Sequence, residues 1–102
     1  VVAVGVAIVG VYADAVHRAR AGADLVALSA AVGQNRGAAP CPLAEEAARL
    51  NEVRLIDCEL SGGPVEFAVS VTVEVDVGAR VAGLPRAVRA EAHAGRLERS
   101  PP

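Results

Sequence analysis

A chain of 102 residues has room for one domain. It is 53% hydrophobic yet holds one Phe, one Tyr and no Trp or Met, so its core must be built from Ala and β-branched side chains. The formal net charge of −2, with ten Arg, no Lys and no basic cluster, argues against a nucleic-acid surface.

The first thirteen residues, VVAVGVAIVGVYA, carry no charge. They are too few to span a bilayer unaided, which takes about 20 apolar residues. No basic segment precedes them and no clear cleavage site follows, so they do not read as an intact signal peptide. The helical pattern continues through DAVHRARAGADLVALSAAVG, and Gly33 is the expected stop. A helix from Val1 to Val32 would be about 48 Å long. Ala15, Ala19, Ala23, Ala27 and Ala31 recur at i+4 spacing and form a ridge that lets another backbone approach closely. Leu25, Leu28 and Val32 are the larger knobs, expected to hold the rest of the domain. Asp14, His17, Arg18, Arg20 and Asp24 read as a solvated helix face, with Asp14 and Arg18 an acid-first i, i+4 pair.

After the break GAAPCP, a short helix is expected from Pro42 to about Asn51, with Pro42 at its first position. The period then changes from 3.6 to 2. Val53 to Leu60 predicts a strand, Ser61-Gly62-Gly63 a turn, and Pro64 to Val77 a second strand in uninterrupted alternation. Val65, Phe67, Val69, Val71, Val73, Val75 and Val77 share its apolar face. A third strand is expected near Ala87 to Ala94, after a Gly83-Leu84-Pro85 turn.

Sixteen residues separate Cys41 from Cys58. In a reducing compartment the two would be unrelated buried thiols. The even count, the small core and the apolar start favour a disulfide instead, worth on the order of 3 kcal/mol in the chain-entropy model. No catalytic constellation stands out. His17 and Asp14 have no nucleophile nearby, His93 and Glu91 share a strand face but do not make a metal site, and Gly62-Gly63 lacks phosphate-loop spacing. No enzyme activity, cofactor or metal is expected.

The stretch HRARAGADLVALSAA (17–31), the cysteine pair bracketing LAEEAARLNEVRLIDC, and the V-x-V-x-V strand together resemble the actinobacterial TadE/TadG-like proteins of tight-adherence (Flp-type) pilus systems. In that family an apolar start runs into an HRAQAAADLAALAAA-like stretch, then a cysteine-bounded helix and an alternating strand. The resemblance implies export, membrane insertion through the N-terminal helix and a pilin-like or minor-pilin role. Family precursors carry a basic leader, so it also implies a processed or truncated chain. Many type IV pilins have a glutamate near the mature start, whereas the first acid here is Asp14.

The expected fold is α+β and pilin-like: a long N-terminal helix packed on a small antiparallel sheet of about three strands, with one short helix. Residues 1–33 are the helix, 34–95 the head and 96–102 a peripheral tail. Within 1–13, Val1, Val4, Gly5, Ile8, Gly10 and Val11 are the expected assembly residues. The expected function is a structural subunit of a type IV-like filament, whose partners are its own copies or other pilins, with the membrane as host before assembly. The alternatives are a membrane-anchored minor pilin or assembly factor and, from another class, a secreted binding module.

Overall fold

The structure is a computed structural model that describes residues 2–63, 66–77 and 83–96, with the side chain of Arg96 excepted. Five elements follow in chain order: α1 (Val2–Asn35), α2 (Pro40–Leu50), β1 (Arg54–Gly62), β2 (Phe67–Asp76) and β3 (Ala87–Arg96). The fold is α+β, with one long helix, one short helix and a three-stranded antiparallel sheet in the order β1-β2-β3. This is the expected architecture, and it is consistent with a pilin-like arrangement.

Helix α1 ends later than Gly33. Gly37 adopts φ +85°, and the amides of Ala38 and Gly37 bond to the carbonyls of Gly33 and Gln34. That pair of bonds is a Schellman cap, and its left-handed position suits glycine. Gly33 is instead inside the helix and buried, with the end of the Leu43 side chain of α2 lying where a Cβ would stand. Helix α2 begins at Pro40, two residues before the expected Pro42, and Ala39 occupies its N-cap. It closes with a second Schellman pair, in which Val53 and Glu52 donate to Ala48 and Arg49 and Glu52 takes the left-handed φ of 57°.

Strand β2 is the spine of the sheet. Val71 pairs with Cys58 on one side and Ala92 on the other, and Phe67, Val69, Val71, Val73, Val75 and Val77 are all buried. The alternation expected of this strand is confirmed over Phe67–Val77, while Pro64 and Val65 lie outside the described residues. Strand β1 slips its register between Leu55 and Asp57.

What covers the apolar face differs from expectation. Leu25, Leu28 and Val32 are 48%, 57% and 43% exposed and do not hold the sheet. The sheet rests on the Ala ridge instead, where Ala15, Ala19, Ala23, Val26, Ala27, Ala30 and Ala31 are buried. The reason is distance: a valine-rich sheet face fills the space best when the opposing helix offers methyl groups. Packing then follows close approach of the two backbones, since gaps forfeit dispersion contacts. Among the described residues no polar or charged side chain is buried.

Candidate assembly surface

Helix α1 has two environments. From Ala15 to Gly33 one side of it is covered by the sheet and α2. Above Ala15 it continues past the sheet, and Val2, Val4, Val6 and Val9 are 80%, 63%, 67% and 68% exposed. Of the expected assembly residues, Val4, Gly5 and Gly10 are exposed and Ile8 and Val11 half-buried, while Val1 lies outside the described residues. The five alanines expected as a helix-packing ridge are buried in their own head. They are therefore not available to another subunit.

Tyr12 marks the border between the two environments. Its hydroxyl donates to the Pro85 carbonyl at 2.5 Å, fastening the turn before β3 to the helix. The sequence reading assigned Tyr12 no role. A tyrosine with a polar tip and an apolar body suits a boundary of this kind. Nearby, Asp14, His17, Arg18, Arg20 and Asp24 are all exposed, and Arg18 approaches Asp14 at 4.0 Å. That polar band begins where the bare apolar end stops and runs along the outer side of the head-bearing part of α1.

The head is stapled by Cys41–Cys58, which joins α2 to β1 with a Cα–Cα distance of 5.9 Å. Both cysteines are half-buried where α2 meets the sheet.

The outer sheet face is polar. Arg54 forms a two-pronged pair with Asp76 at 2.8 and 2.9 Å and also bonds Glu74, whose other oxygen takes Arg89 Nε at 2.8 Å. Hydrogen bonds from Arg89 and Arg54 hold the Glu74 carboxyl below its ordinary range, and Arg54 does the same for Asp76. Two rows further along, Ser70 Oγ lies 2.7 Å from His93 Nδ1, and His93 Nε2 lies 3.0 Å from Glu91 Oε1. The expected Glu91–His93 proximity is present, and Ser70 joins them across the strand pair. Sequence spacing missed Ser70 because strand register sets that contact. The three side chains form a relay in connectivity, but they sit on an open face. The β2 amides are committed to ladders on both sides, so they offer no preorganised donors to a developing oxyanion. Among the described residues no group of three or more His, Cys, Asp or Glu could hold a metal ion.

By length and composition alone, α1 is apolar enough near its N-terminus to cross a membrane. Comparison with known proteins finds no matching family model, no matching curated protein and no matching solved structure. The functional reading therefore rests on geometry.

Proposed function

We propose that the chain is a structural subunit of a type IV-like, tight-adherence pilus filament that polymerises through the upper part of α1 and is held in a membrane before assembly. One observation carries this reading. The upper part of α1 is apolar on every side and the described head leaves its Val2, Val4, Val6 and Val9 exposed, and a helix with that pattern is stable when neighbours or lipid surround it. Below Ala15 one side of the same helix already takes the apolar face of the sheet, so that face is not free to cover the remainder. The polar outer sheet face and the disulfide suit a head displayed outside the cell, where such bridges persist. No chemistry is required of this subunit, and no cofactor enters the proposal. The resemblance to TadE/TadG-like sequences points the same way.

Sedimentation without detergent tests the reading. The chain should pellet as polymer or with vesicles, and a form lacking residues 1–13 should remain a soluble, disulfide-bonded monomer. A soluble, monodisperse monomer of the undeleted chain defeats it in favour of a secreted binding module. A second reading, a membrane-anchored minor pilin or assembly factor, is favoured by the membrane-compatible composition of α1. It predicts vesicle association without polymer.

A further inference from the structure

Helix α1 presents a second apolar surface, on the side turned away from the sheet. Leu28 and Val32 form an exposed i, i+4 ridge with Leu25 above it. A shallow groove lies on each side of that ridge, one reaching Gly33 and Leu43 of α2, the other Ala31, Phe67 and Gly95. Arg36 borders both grooves and is exposed. Among the described residues nothing covers this face, although it lies on the folded head.

The same side of α1, followed upward at alternating three- and four-residue steps, carries Ala3, Ala7, Gly10 and then Asp14, all exposed. A Cβ added at Gly10 would meet nothing within 4 Å. One end of the stripe is thus flat and small, and the other end bears three large side chains. Ala3, Gly10 and Asp14 stand 22 positions before Leu25, Val32 and Arg36 respectively.

We infer that the Leu25/Leu28/Val32 face receives the upper α1 of a second copy, parallel and displaced by 22 residues, with the second copy's Asp14 beside Arg36. This rests on the filament reading above and specifies its contact. The displacement is about 33 Å along the helix axis at 1.5 Å per residue. Two features agree on it. Large knobs meet a small-residue groove, as ridges-into-grooves packing requires. An acid meets a base at the edge of the apolar contact, where charge fixes register and orientation. An antiparallel arrangement of the same surfaces sets the His17/Arg18 region of one copy against that of the other and leaves Asp14 opposite Ala21. Charge disfavours it. Because each copy offers both halves of the contact, the association is head-to-tail and open-ended.

Charge reversal tests the register. Asp14→Arg and Arg36→Asp should each raise the protein concentration needed for sedimentable assembly about tenfold at low salt, and the double reversal should restore it. Leu28→Asp should abolish assembly while the disulfide and the helical circular dichroism persist. If the unaltered chain assembles and the single reversals have no effect, or the double reversal fails to rescue, the register is overturned and the filament reading stands. If the unaltered chain stays monomeric, free or in vesicles, the filament reading fails and the register fails with it.

Discussion

Tyr12 and Pro85 are 73 positions apart in the chain, and the Tyr12 hydroxyl donates to the Pro85 carbonyl at 2.5 Å. This bond closes the upper edge of the head. Beyond it, among the described residues, only Ile8 and Val11 of the helix are half-buried. The turn it fastens leads directly into β3, through an amide of Val77 that bonds the Arg86 carbonyl at 2.7 Å.

Replacing Tyr12 with Phe keeps the ring and removes the bond. The expected cost is about 1 kcal/mol of stability, the usual net worth of one hydrogen bond. Urea unfolding measures it, and amide exchange at Val77, whose N–H bonds the Arg86 carbonyl, should quicken. An unchanged midpoint with unchanged exchange would show that the bond does not hold the turn.

The two faces of β2 should respond very differently to the same charge. Val71 is fully buried, and Val71→Asp places an unpaired carboxylate in the valine core at a cost of several kcal/mol. The head should fail to fold, read as loss of cooperative thermal unfolding. Thr72 points outward between Asp57 and Glu91 in the sheet register. Thr72→Asp meets only like charges across the strands and should cost about 0.5–1 kcal/mol, less at high salt. Equal damage from both substitutions would overturn the facing described for this strand.

The outer ion-pair network makes the head sensitive to acid. Glu74 and Asp76 have lowered pKa values because Arg89 and Arg54 bond their ionised forms. A carboxylate lowered in the folded state contributes stability that is fully present above its unfolded value, near 4, and is lost as pH falls through the lower folded value. Thermal midpoints should therefore hold steady at neutral pH and drop below about pH 4. Glu74→Gln should flatten that acid limb. An acid limb of undiminished steepness in this variant would remove the network from the explanation.

Glu52 carries the left-handed conformation at the end of α2 without being glycine or asparagine. Such a residue costs about 1 kcal/mol relative to glycine at that position. Glu52→Gly should recover about that amount, a rise of about 4–8 °C in midpoint for a domain of this size. Its exposed side chain leaves nothing else to lose. A fall in midpoint would mean that this cap geometry is not the one adopted in solution.

The elements themselves were legible in the sequence because each depends on local period. The alternation through Phe67–Asp76 could bury only one set of side chains, and the cysteine pair bracketed a helix and a strand that bring two Cα atoms within bridging distance. The bare upper α1 was equally legible, since an all-apolar run has no polar face to show water. Which side of α1 would take the sheet was not. Both an alanine ridge and a leucine-valine ridge run down that helix, and periodicity does not rank them. The choice came from how closely a valine-lined sheet can approach, a property of two surfaces together. Gly33 and Gly37 were likewise interchangeable as stops until Leu43 of α2 claimed the space beside Gly33. The Tyr12–Pro85 and Ser70–His93 contacts join residues 73 and 23 apart. Local pattern carries no record of such pairs, because strand register and helix placement create them only when the whole head has closed.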